Sequence, residues 1–222
     1  MFLYAFSSVK NGDRKVTDVN INFIGDENLF ITNESVNKLL IQNEAEVTSM
    51  PKETLDLNGL ETALNSNPMI KAAQVYLTVN GEVRADVVQR KPIARVSTNA
   101  SYYIDDVGAF MPLSTNYTAR VPLVTGHIEK NNLNEVFKVA KKIQSDQFLK
   151  THVIEIFQNS DRTIKIKIRV WDFEIIIGEV NDLDRKFKNF KAFYQKAKKD
   201  NILGTYSKVN LQFDDQVVCT KK

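Results

Sequence analysis

The chain has 222 residues, 43% of them hydrophobic, which is enough to bury a core in one large domain or two small ones and excludes an intrinsically disordered chain. Thirty Lys and Arg against 27 Asp and Glu leave a net charge of +3, too small and too mixed to argue for a nucleic-acid surface. One cysteine, Cys219, excludes an internal disulfide and any multi-cysteine metal site.

The chain opens on MFLYAFSS and then turns abruptly polar at VKNGDRK. Its initial apolar run is far short of the ~20 residues needed to cross a hydrocarbon core. Two readings stay open on these residues alone: an N-terminal strand or tail, or the outer end of a longer membrane span, since Phe2, Tyr4 and Phe6 suit a membrane interface. From Val16, VTDVNINFIG places Val19, Ile21 and Phe23 on alternate positions and predicts a half-buried strand ending at Gly25. Thr32 and Asn33 offer N-caps for a helix over ESVNKLLIQ, with Val36, Leu39 and Leu40 inward. Asn58 and Glu61 have the spacing of a capping box and predict a second short helix, with Leu60, Ala63 and Leu64 inward, that stops before Pro68.

VYLTV-NG-EVRADV reads as a hairpin around Asn80-Gly81, the pair suited to a two-residue type I′ turn. Val75, Leu77 and Val79 share one face with Val83, Ala85 and Val87, so the sheet packs its dry face on the two helices. After Lys91-Pro92, short strand-like pieces are followed by a helix over LNEVFKVAKKIQ, its stripe made by Leu133, Val136, Phe137 and Ala140. HVIEIFQ, RTIKIKIRV and DFEIIIGEV predict an antiparallel meander. Asn181 or Asp182 then caps a helix whose stripe is Leu183, Phe187, Phe190, Tyr194 and Ala197, with Lys186, Lys188 and Lys191 pointing to solvent. SKVNLQF is the final predicted strand, and Val217-Val218-Cys219 forms a second apolar patch near the end.

No catalytic, cofactor-binding or metal-binding set emerges. His127 and His152, the only histidines, have no neighbouring nucleophile or ligand-spaced carboxylate in sequence. The pairs Asp105-Asp106, Asp182 with Asp184, and Asp214-Asp215 lie at turns or helix starts, where Asp caps and solvates. Phosphate loops, dinucleotide fingerprints, nucleophile elbows and zinc patterns are all missing.

Several stretches taken together carry a family likeness. VNINFIG with TNESVNKLL, then ALNSNPMIKAAQVYLTVNGEVRADVVQRKPIARV, YYIDDVGAFMPLS and finally SKVNLQFDDQVV follow one another in the order seen in the extracytoplasmic part of the FtsQ/DivIB family of bacterial cell-division proteins, which the chain resembles. Two departures, Asn80-Gly81 at the hairpin tip and Gln89 where Glu is commoner, leave the expected fold untouched. The resemblance implies an α+β chain: residues 1–15 a remnant of a transmembrane segment, 16–92 a POTRA domain of order β-α-α-β-β, 93–214 a mostly antiparallel β domain with packed helices and a C-terminal edge strand, and 215–222 a tail.

It also implies a non-enzymatic scaffold without cofactor, metal or nucleic acid. Such a protein is a single-pass protein of the inner membrane, with this region on the periplasmic side at the division septum. Its partners are FtsB and FtsL, bound by addition of a strand to the C-terminal edge, with other division proteins at the POTRA domain. Carried over, the partner-binding residues are Lys208, Val209, Asn210, Leu211, Gln212 and Phe213, with Gln216, Val217, Val218 and Cys219. Alternation puts Val209, Leu211 and Phe213 on the core face and turns Lys208, Asn210 and Gln212 outward. The alternative function is a POTRA-containing chaperone or assembly module for outer-membrane or secreted proteins.

Overall fold

The structure, a computed structural model, describes residues 16–25, 28–43, 55–129, 132–214 and 216–222. The opening segment 1–15 and the membrane expectation attached to it lie outside the described residues, as does Asp215. The chain divides into two units: one runs up to Arg90 and includes Ser114–Thr118, and the other holds Lys91–Leu113 and Ala119–Lys222.

In the first unit, β1 (Asp18–Phe23) is followed by α1 (Asn33–Asn43), α2 (Leu57–Asn65), β2 (Ile70–Leu77) and β3 (Glu82–Gln89). The sheet order is β1-β3-β2, with β1 parallel and β2 antiparallel to β3. Val36 and Leu40 of α1, Leu60 and Leu64 of α2, and Val83, Ala85 and Val87 of β3 form its core. The Thr32 hydroxyl accepts the Ser35 N–H at 3.2 Å and opens α1 as expected.

The start of α2 differs from the capping-box expectation. Its cap is Asp56, whose carboxylate accepts the Gly59 N–H at 2.9 Å. Glu61 is thereby freed to reach the sheet, where it accepts the Val75 N–H at 3.0 Å.

The hairpin tip also differs, for a reason visible in the pattern. A two-residue turn at Asn80-Gly81 would set Val75 opposite Asp86 and mix the two faces. The observed register sets Val75 opposite Ala85 and Leu77 opposite Val83, which costs one more loop residue. The Thr78 N–H donates to Glu82 C=O at 2.9 Å, and of the loop residues between them only Gly81 has a positive φ, +93°. Val79 is therefore at the loop tip, 88% exposed, and not on the dry face.

Gln89 matters more to the fold than its sequence setting suggests. It is buried, its Oε1 accepts the Phe30 N–H at 3.1 Å, and its Nε2 donates to Ile31 C=O at 2.9 Å. Glu at this position would have no donor for the second bond. The excursion Ser114–Thr118 meets the same corner, Ser114 Oγ donating to Phe30 C=O at 2.6 Å and Tyr117 packing edge-on against the Phe30 ring.

The second unit is built on one sheet of nine strands, ordered β12-β11-β10-β9-β8-β7-β4-β5-β6. Its strands are β4 (Pro92–Ser97), β5 (Ser101–Asp105), β6 (Phe110–Met111), β7 (Leu123–Gly126), β8 (Val153–Gln158), β9 (Ile164–Ile168), β10 (Glu174–Gly178), β11 (Tyr206–Asn210) and β12 (Val218–Lys221). β8, β9 and β10 are the expected antiparallel meander. β7 pairs parallel with β8, and β10 parallel with β11, so each junction needs a crossover. The first is supplied by α3 (Asn134–Ser145) with α4 (Gln147–His152), the second by α5 (Leu183–Lys199).

Val136, Val139, Ala140 and Ile143 of α3 and Phe187, Phe190, Tyr194 and Ala197 of α5 are buried in one core with Ile156, Ile166, Ile175 and Val209 of the sheet. Leu133 and Phe137 are only partly buried. The Asp105 carboxylate is a turn device, accepting the N–H groups of Val107 at 3.1 Å and Ala109 at 2.7 Å.

Two expectations about side chains are overturned. His152 closes α4 and does not open a strand: its Nδ1 lies 2.8 Å from Phe148 C=O and its ring stacks on Phe148. Lys186 does not point to solvent but is 3% exposed, its ammonium donating to Glu179 C=O at 2.7 Å and Asn181 Oδ1 at 2.6 Å. Burial, aided by the nearby Arg185 charge, pulls its pKa down. The turn it holds is strained, because the helix cap Asp182 sits at φ +45°.

Candidate C-terminal docking edge

The residues singled out at the end of the chain fall on three different pieces of structure. Lys208, Val209 and Asn210 belong to β11, Leu211, Gln212, Phe213 and Gln216 to the connection, and Val218 and Cys219 to β12. Val209 and Leu211 are buried on the helix-covered face, and Lys208 and Gln212 are exposed, as alternation requires. Phe213 breaks the pattern. The strand ends at Asn210, whose side-chain oxygen accepts the Gln212 N–H at 2.9 Å and turns the chain, leaving Phe213 44% exposed.

β11 is not a bare edge. On one side Val209 pairs with Ile175 of β10, and the Leu211 N–H donates to Ile176 C=O at 2.9 Å. On the other, Lys208, Val209 and Asn210 pair with Thr220, Cys219 and Val218 of β12. The edge of the sheet is therefore β12. Since odd residues of β11 bond to β10, its even residues bond to β12, and Val218 and Thr220 face inward with their backbone groups. Cys219, opposite Val209, turns its N–H and C=O to the open side.

The side chains of β12 and of Val217 just before it are shared between two faces. Val217 and Cys219 are partly buried against the core, and Val218 is 40% exposed. Burial raises the Cys219 thiol pKa, which leaves it a small apolar side chain more than a nucleophile.

The connection between β11 and β12 is clamped by α5, a feature not anticipated from the sequence. Arg185 Nη1 donates to Asp214 C=O at 2.6 Å, its Nη2 lies 2.7 Å from the Asp214 carboxylate, and Asn189 Nδ2 donates to the same carbonyl at 3.3 Å. Arg185 and Asn189 stand one helical turn apart, which is the signal available for this contact. Ser207 adds a tie at the other end, donating from Oγ toward Thr220 C=O at 3.2 Å beside a register shift. Gly178 of β10 has φ +71°, and a Cβ there would meet Gln212 Nε2 at 2.4 Å.

His127 and Glu129 form an exposed contact at 3.7 Å, and among the described residues no group of three or more His, Cys, Asp and Glu side chains could hold a metal ion. Likewise, among the described residues no helix is long and apolar enough to cross a membrane.

Two family models match the chain. Residues 91–220 match the family described as FtsQ/DivIB, C-terminal related, and residues 14–88 match a POTRA-like domain. No curated protein gives a significant match.

Proposed function

Because the chain belongs to the FtsQ/DivIB family of cell-division proteins, we propose that it is a division scaffold that binds FtsB- and FtsL-type coiled-coil partners by taking up a partner strand along β12. The family is one of non-enzymatic, membrane-anchored division proteins. In this reading residues 16–92 are the POTRA domain, 93–214 the β domain and 215–222 the docking tail. The region lies outside the cytoplasmic membrane at the septum, held by a single span.

The observation that supports strand addition is the outward-facing main chain of Cys219 on an edge strand whose inner side and connecting loop are both tied down. An added strand gains net ~0.5–1.5 kcal/mol per hydrogen bond, so side-chain burial against Val217, Val218 and Phe213 has to contribute as well. Gln216 and the outward Lys208, Asn210 and Gln212 then tune which strand is accepted.

Cys219→Pro removes the outward donor without touching the β11 ladder, and Val218→Asp places a charge on the exposed face. Titrating each variant with an FtsB ectodomain should show binding weakened at least ~100-fold, with melting temperatures close to wild type. Unchanged affinity in both folded variants would sink the reading.

A further inference from the structure

The first unit has two sheet edges, β1 and β2, and they are treated unequally. Along β2 the groups pointing away from β3 are those of Ala73, Val75 and Leu77, because Thr78 bonds inward to Glu82 and the alternation follows from there. Both groups of Ala73 and the N–H of Val75 are covered by α2. Asn65 Oδ1 accepts the Ala73 N–H at 2.8 Å, Asn65 Nδ2 donates to Ala73 C=O at 3.2 Å, and Glu61 accepts the Val75 N–H at 3.0 Å. The Asn65 carboxamide makes the same reciprocal pair of bonds that a neighbouring strand would make. The β2 edge is thus closed to an incoming chain.

Along β1 the opposite holds. The Ile24 N–H donates to Val87 C=O, so even-numbered residues face β3 and the main chain of Val19, Ile21 and Phe23 faces away. The Val19 N–H is met by its neighbour Asp18 at 2.8 Å; among the described residues Ile21 and Phe23 find no hydrogen-bond partner on that side. Beside this edge lies an open cleft of about 430 Å³ lined by Val19, Asn20, Ile21, Asn33, Glu34 and Asn37. Val19 and Ile21 are half-buried and offer it an apolar floor. Among the described residues its lining carries one charged side chain, Glu34, and Asp18 stands at the head of the strand beside it.

We propose that β1 is a second strand-addition site, which takes an extended segment of a partner protein carrying a Lys or Arg opposite Glu34. It is independent of the C-terminal edge. Backbone groups of Ile21 and Phe23 supply the ladder, Val19 and Ile21 receive alternate apolar side chains, and Glu34 selects for the basic residue. A second copy fits poorly, since pairing two β1 edges brings two acidic clefts together.

The test uses random peptides displayed on phage and selected on the full chain. Selected peptides should be basic and alternating, and should slow amide exchange at Ile21 and Phe23. Their binding should weaken at least ~10-fold in Ile21→Pro, where the lost N–H lies outside the β1–β3 ladder, and in Glu34→Lys, which leaves β1 unchanged. Asn65→Ala should leave their affinity as it was. Recovery of no peptide, peptides without a basic residue, equal binding to the folded Ile21→Pro and Glu34→Lys variants, or exchange protection at Leu77 in place of Ile21 would each overturn the assignment. So would a concentration-dependent dimer abolished by Ile21→Pro, which assigns the edge to a second copy.

Discussion

The β2 edge of the small sheet and the β12 edge of the large one end their sheets in opposite ways. β2 is closed by side chains standing in for a strand, Asn65 on both groups of Ala73 and Glu61 on Val75. β12 has its inner side paired and its loop held by Arg185 and Asn189, while the main chain of Cys219 faces out. The difference teaches how a fold separates closing an edge from presenting one. A cover of polar side chains silences a strand, whereas a clamp behind the strand fixes it while leaving its outer main chain exposed.

That contrast fails if the large sheet depends on its margin for stability, and the middle of the sheet is where to look. Gly126 ends β7 at φ +93°, and a Cβ there would stand 2.2 Å from Gln158 C=O. Because the obstacle is backbone, Gly126→Ala should destabilise the chain by about 3 kcal/mol or more, read as a shift in denaturant midpoint. At Gly178 the obstacle is the flexible Gln212 side chain, and Gly178→Ala should cost clearly less.

Deleting residues 217–222 should weaken partner binding about 100-fold or more (~2.7 kcal/mol) and cost the chain itself only about 1 kcal/mol. A larger loss of stability than of affinity would make β12 a structural strand and erase the contrast. Breaking the β2 cover sharpens it from the other side. Asn65→Ala with Glu61→Ala removes three hydrogen bonds and should cost about 2 kcal/mol. It should also produce concentration-dependent association by sedimentation, the behaviour expected of a newly opened edge.

The smallest effect belongs to the covering helices. The Asp146 carboxyl caps α4 and is held below its ordinary pKa chiefly by its hydrogen bond with Lys191 of α5, against an opposing contribution from burial. A depressed folded pKa stabilises above the ordinary carboxylate value of about 4, and that stability fades as pH falls through the lower folded value. Asp146→Asn keeps a capping oxygen, so it should cost only about 0.5 kcal/mol at neutral pH after solvent screening. The gap to wild type should close in acid, and partner binding at neutral pH should not change.

Much of this fold could be read from residue order. The period-two runs of Val75 to Val87 give the faces of β2 and β3, and the four-three-four-three spacing from Leu183 to Ala197 gives the buried stripe of α5. What was illegible depended on distant partners. Nothing local tells Glu61 to bond a strand and not its own helix end, or tells Lys186 to bury itself under Glu179 and Asn181. At the candidate site the buried face of Val209 and Leu211 was legible. The short strand β12 was not, because Val218 to Lys221 carries too few residues for alternation to register, and its pairing depends on a turn made by Asn210.

The parallel pairing of β10 with β11 has a consequence in time. β11 reaches its place only after α5 has crossed the sheet, and among the described residues β12 follows the other strands of this sheet in sequence. During synthesis from the N-terminus this edge strand is thus assembled after the others, on a sheet already in place. A nascent or interrupted chain has no such edge to pair, so a formed β12 is itself a mark that the strands before it have been made and folded.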